Sequence, residues 1–195
     1  MSRGTGGRSG GDDGPGARYP SGASGGQLER NPRGVPGSRQ QEDLLSVTKQ
    51  LGRHPGADFD VVLRAEDGHP VVIANAPFLD DGSPMPTRFW LTDPGLHQAV
   101  SRLESEGGVK AAELAVPAHA IAQAHERYAA ARDALIPGGH RGPRPSGGVG
   151  GTRRGVKCLH AHLAWWLTGA DDPVGQWTAD RLGLGRPDSS STARF

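Results

Sequence analysis

Cysteine is nearly absent: the 195 residues contain one, Cys158. A single thiol excludes an intramolecular disulfide framework and suits a reducing compartment. Lysine is scarce, three residues against 19 arginines, which reads as a compositional bias of the genome. A net charge of +1 excludes a strong electrostatic pull toward nucleic acid or acidic partners. No run approaches the roughly 20 apolar residues of a membrane span, and MSRGTGGRSGG lacks the apolar core of a secretory signal. A cytoplasmic protein with no membrane span is therefore expected. Apolar residues make up only 34% of the chain, low for one folded throughout.

What the chain has in abundance is glycine, 31 residues, and proline, 16, and their placement is uneven. Residues 1–40 hold 12 Gly and 4 Pro, with only Met1, Tyr19, Leu28 and Val35 as sizeable apolar side chains. Such a segment cannot bury enough surface to offset the entropy of ordering it, so a disordered tail is expected over 1–40. Its six arginines against three acids leave room for a weak contact with nucleic acid. A second polar tail is expected at 185–195, flanking a single domain over 41–184.

Within that domain, Leu44, Leu45, Val47 and Leu51 predict a short helix ended by Gly52. Two β-branched runs, 59–63 and 71–73, flank Asp67-Gly68, a hairpin signal because the turn wants positive φ. Arg88 to Leu91 supplies another strand, kept short by Pro84 and Pro86. Asp93-Pro94 is a helix start, with Asp as N-cap and Pro where no N–H is needed. Its helix carries Leu96, Val100 and Leu103 and stops at Gly107-Gly108. A longer helix from Pro117 to about Leu135 places Ile121, His125, Tyr128 and Leu135 on one face. The fold class expected is α+β: a small antiparallel β-meander packed against four to six helices.

Residues 137–151 hold 7 Gly and 3 Pro in 15 positions and predict a flexible loop. The run GGVGGTRRGVKCLHAHLAWW that ends it gathers loop, charge and ligand-type side chains more densely than any other stretch. A helix is predicted over Gly155–Thr168, apolar all round and hence buried, followed by a short helix from Pro173 to Leu182.

PTRFWLT (86–92), SRLESEGG (101–108), HERYAA (125–130), RGVKCLHAHLA (154–164) and DPVG (172–175) occur in this order. Together they resemble the bacterial domain-of-unknown-function 501 family, found in actinobacteria, over roughly residues 42–183. The resemblance implies no established activity. It implies a gene context near septum formation and exopolyphosphatase, hence a partner in cell division. The family pattern carries cysteine after FWLT, where this chain has Asp93.

Three chemistries follow. Cys158 and His162, four apart in a helix, are spaced to share a zinc-like divalent metal, with Asp93, His125 and His160 to complete the set. His160 and His162 cannot both serve one ion from a regular helix, and all these residues also read as packing and capping groups. An anion site is the second: Gly147, Gly148, Gly150 and Gly151 present backbone N–H groups before a helix start, beside Arg153, Arg154 and Lys157, with Arg88 and Arg102 to converge on it. A phosphate-containing small molecule or polyanion would fit, and a solvated linker is the competing reading. No Walker A or dinucleotide fingerprint is present. The third is a nucleophilic Cys158, which a buried helix makes inert. No serine triad, carboxylate pair or CxxC motif is legible. The expectation divides between a ligand-binding or enzymatic domain and a non-catalytic interaction protein whose RGVKCLHAHLA helix is purely structural.

Overall fold

The computed structural model describes residues 38–185. The tails expected at 1–40 and 185–195 lie outside the described residues, except that α1 already begins at Ser38. Helix α1 spans Ser38–Leu51, strands β1 and β2 span Phe59–Arg64 and Pro70–Asn75, and β3 spans Phe89–Leu91. Helices α2 (Pro94–Ser105), α3 (Gly108–Ala115), α4 (Ala118–Asp133), α5 (Leu159–Leu167) and α6 (Pro173–Leu182) follow. The class is α+β, as the patterning predicts.

The sheet is an antiparallel meander in the order β1-β2-β3. Phe59 pairs with Asn75 and Val61 with Ile73, and irregularities between Val61 and Arg64 shift the register near the turn. Gly68 takes φ +89°, and its N–H donates to the Ala65 carbonyl, so the Asp-Gly pair does close the hairpin. β2 is buried on both faces along its whole length, as its apolar composition demands. β3 is only three residues long, and Val72–Leu91, Ile73–Trp90 and Ala74–Phe89 are its pairs. No helix among the described residues is long and apolar enough to cross a membrane.

Two Asp-Pro pairs start helices in the same way. The Asp93 carboxylate accepts from the Leu96 amide at 2.7 Å, and the Asp172 carboxylate accepts from Val174 and Gly175 at 2.9 Å each. α5 is the central element, buried from Ala161 to Leu167 and packed against β3 and α6. Leu159, Leu163, Leu167 and Trp166 are all within 2% of full burial. At about 1.5–3 kcal/mol for each such side chain, these four alone rival the net stability of a small domain.

Four differences from the patterning matter. The last apolar helix begins at Leu159, four residues later than expected. Gly155 takes φ +62°, and Cys158 is extended at φ −154° and ψ 146°. The helical face of α4 ends in Arg132 rather than Leu135, which is 46% exposed. Arg132 is 1% exposed. Its guanidinium donates to the carbonyls of Gly147 (2.8 Å), Pro86 and Pro145 (3.4 Å each), with Asp133 at Nε. The loop expected to be flexible is thereby tied to α4. It carries a 3-10 turn over Val149–Gly151, and Pro145 and Gly148 to Gly150 are buried. Finally, Leu45 of the expected α1 stripe is 66% exposed, and Val47 alone is fully buried there.

Candidate functional site

The motifs of the sequence meet at the first turn of α5, on two opposite sides. On one side stands His162, whose Nδ1 lies 2.7 Å and 3.0 Å from the two Asp172 oxygens. His162 is 0% and Asp172 1% exposed. Facing them, 5.8 Å between ring centroids, is His125 of α4. Its tautomer follows from its partners: Nδ1 accepts from the Val149 amide at 3.1 Å, so Nε2 carries the proton and donates to the Gly155 carbonyl at 2.9 Å. Burial holds this imidazole below its ordinary range, and the Gly155 bond opposes that effect. His162 Nε2, by contrast, has no hydrogen-bond partner among the described residues.

The glycine loop is built around His125. A Cβ at Gly148 would overlap the His125 side chain, so only glycine lets the backbone approach it. The expectation of unobstructed amides needs correction for Gly148 and Gly151, and α5 does not start beside the loop. Gly148 N–H donates to the Thr152 carbonyl, Gly151 N–H to Gly148, Thr152 N–H to Val149, and Val149 N–H to His125. The helix start is eight residues beyond Gly151. Gly147 belongs to the Arg132 anchor through its carbonyl, and Gly150 packs near Ala161 and the Cys158 sulfur.

The candidate cations are divided between exposed and engaged side chains. Arg153, Arg154 and Lys157 are exposed, as is Arg102 at the end of α2. Arg88 instead donates to the Asn75 carbonyl at 3.2 Å and lies over the Phe89 ring. No hydrogen bond, ion pair or ring contact among the described residues joins Arg88 or Arg102 to 153–157.

Of the five metal candidates, only His125 and His162 come face to face. Asp93 caps α2 and pairs with His69 Nε2 at 2.7 Å. His125 has both nitrogens engaged, and His160 and His162 point to opposite sides of α5. Cys158 precedes the helix, which removes the i, i+4 relation to His162. Burial pushes its thiol up, against a smaller pull down from the Ala161 amide. No group of three or more His, Cys, Asp or Glu among the described residues is arranged to hold a metal ion.

The other side of α5 was not legible beforehand. There His160 Nδ1 lies 3.2 Å from Glu104 Oε1, and Nε2 lies 3.2 Å from Ser101 Oγ and 3.1 Å from the His97 carbonyl. Glu104 Oε1 also accepts the Leu159 amide at 2.5 Å, so the first amide of α5 fixes the carboxylate that faces the ring. The His97 ring lies against His160, tilted by 42° with centroids 4.3 Å apart, and burial, with His160 second, lowers its pKa. Ser101 and Glu104 are three apart on α2 and share a face. That spacing within SRLESEGG was the one available sign, and it has no meaning until α5 packs beside it.

Ser101 also faces outward. It forms part of the wall of a cleft of about 560 Å³, between the end of α1, the end of β3 and α2. Leu51, Leu91 and Pro94 give this cleft apolar walls, and Gln50, Thr92, His97 and Gln98 give it polar ones. A smaller cleft of about 410 Å³ lies between α1 and the hairpin, crossed by the Asp43–Arg64 ion pair.

A family model described as a protein of unknown function (DUF501) matches residues 61–180. No curated protein and no solved structure matches the chain. The match runs from within β1 to within α6 and includes both sides of α5, His125 and the glycine loop. The chain belongs to the DUF501 family.

Proposed function

We propose that this chain is a small-molecule binding protein whose site is the 560 Å³ cleft beside α2, and that its ligand is uncharged. The carrying observation is the lining. The volume lies within the range of small-ligand sites. Its walls mix apolar surface with amide and hydroxyl groups and hold no Asp, Glu, Lys or Arg. His97, the one titratable group there, is biased toward its neutral form. A charged ligand would lose its hydration shell without gaining an ion pair, whereas a neutral one with a few hydrogen-bonding groups would gain on both counts.

The test is ligand-observed NMR with a fragment set divided into neutral, anionic and cationic members. Neutral fragments are expected to bind and to shift the His97 ring resonances. Gln98→Trp, which fills the cleft from an exposed position, should abolish that binding. Binding confined to anionic fragments, or unchanged in Gln98→Trp, would refute the reading.

A second reading, an anion site at 153–157, has one observation in its favour. Arg153, Arg154 and Lys157 are exposed and enter none of the ion pairs among the described residues. It requires that inorganic phosphate or polyphosphate raise the melting temperature, and that changing all three to alanine remove the rise. Because side chains rather than the loop amides would do the binding, the effect should fall with added salt.

A further inference from the structure

We propose that Ser101, His160 and Glu104 form a nucleophilic relay on the wall of this cleft, acting on neutral carboxylic esters; the inference rests on the cleft being a small-molecule site. Three residues from two helices meet with the order of roles that serine nucleophiles require: hydroxyl, imidazole, carboxylate. Ser101 Oγ is 3.2 Å from His160 Nε2, and His160 Nδ1 is 3.2 Å from Glu104 Oε1. Of the three, Ser101 alone is part of the cleft wall, and the imidazole and carboxylate are not.

The competing partner of Nε2 is the His97 carbonyl at 3.1 Å. That carbonyl lies four residues before Ser101 in α2, and the helix already supplies it with the Ser101 amide. A carbonyl only accepts, so this contact is made when Nε2 carries a proton, as it does once the Ser101 proton has passed to the ring. The Glu104 carboxylate selects the tautomer with the proton on Nδ1, which leaves Nε2 as the acceptor for the Ser101 hydroxyl. Glu104 is held in turn by the Leu159 N–H, so it is a positioning residue whose own place is set by the start of α5.

In the first half-reaction Ser101 Oγ attacks the ester carbonyl carbon, and its proton passes to His160 Nε2. The carbonyl π electrons move to oxygen, giving a tetrahedral oxyanion. The oxyanion then collapses, the C–O bond to the alcohol breaks, and His160 returns its proton to the leaving oxygen. Water repeats the sequence on the acyl-serine, giving the carboxylic acid and free Ser101. A neutral ester fits because the cleft offers no fixed cation for a phosphate ester.

The test uses 4-nitrophenyl butyrate as substrate, a fluorophosphonate as trap and 4-nitrobutyranilide as a probe of binding alone. Hydrolysis should exceed the buffer rate, and intact mass should show one phosphonyl adduct, mapped to Ser101. Ser101→Ala, a substitution that favours helix, should abolish both. His160→Gln should lower the rate by about 10²–10⁴-fold, the usual share of a general base. Glu104→Gln keeps an oxygen for the Leu159 amide and should lower kcat with KM unchanged. No adduct and no hydrolysis, with the anilide still bound in the cleft, overturns the relay and leaves the binding site. If the anilide does not bind either, both readings fall. An adduct that persists in Ser101→Ala also overturns the relay.

Discussion

His160 and His162 are two residues apart on one helix, each beside a carboxylate, yet their surroundings have opposite character. A helical step of two residues turns the side chain by roughly 200°, so the two rings enter different packing environments. The His162–Asp172 pair is sealed, with neither side chain more than 1% exposed. Asp172 there is tied to two amides of α6, and the pair joins α5 to α6. The His160–Glu104 pair is 19% and 23% exposed and stands behind a serine that opens on a cleft. The same chemical pair is thus a cross-link where water is excluded and, in the relay we propose, a proton carrier where a ligand can enter. Burial, rather than residue type, separates the two roles.

The sharpest way to break this comparison is Asp172→Ala. It leaves His162 without its partner and two α6 amides without an acceptor, and should cost about 3–5 kcal/mol by denaturant unfolding. A loss below 1 kcal/mol would show that the pair does not cross-link the helices. Gly148→Ala comes next. Its Cβ would press on His125 behind the sealed pair, and overpacking there should cost about 1–3 kcal/mol. On the open side, Glu104→Gln should cost only about 0.5–1.5 kcal/mol, since the amide oxygen can still accept from Leu159. A cost equal to that of Asp172→Ala would erase the distinction between the two sides.

Acid offers a subtler contrast between His125 and His69. The folded-state pKa of His125 is lowered, chiefly by burial, so the unfolded chain takes up its proton first. Its contribution is present above the unfolded value of 6.5 and is lost as pH falls from there toward the folded pKa. His69 runs the other way. Its pKa is raised, first by the hydrogen bond to Asp93, so its contribution is present below 6.5 and lost as pH rises through the folded value. Titration of the ring resonances by NMR should place His125 below and His69 above the ordinary value. His125→Gln should flatten the acid side of a plot of urea midpoint against pH. The smallest effect belongs to Arg153, Arg154 and Lys157: replacing all three with alanine should shift stability by no more than about 0.5 kcal/mol.

Much of the framework was legible because it depends on neighbours in sequence. The Asp67-Gly68 hairpin, the Asp93-Pro94 helix start, the α6 span and the burial of α5 each follow from local turn, cap or composition rules. The same rules misjudged 155–158. Glu113, 43 residues before Val156, accepts the Val156 amide at 2.6 Å and holds that segment out of the helix. Arg132 was unreadable for a like reason, since its acceptors are backbone carbonyls of a loop that local patterning leaves unplaced.

By itself the sequence determined the α+β class, the meander, the two Asp-Pro helix starts and the presence of a central buried helix, all set by periodicity and by residues a few positions apart. Only the tertiary structure decided what the polar residues do. It set Cys158 and Asp93 apart from the facing His125 and His162 rings, turned the glycine loop inward onto His125, and brought Ser101 and Glu104 against His160. Those outcomes depend on contacts across 24 to 59 positions of chain, where the geometry is fixed by how helices pack and not by any local preference.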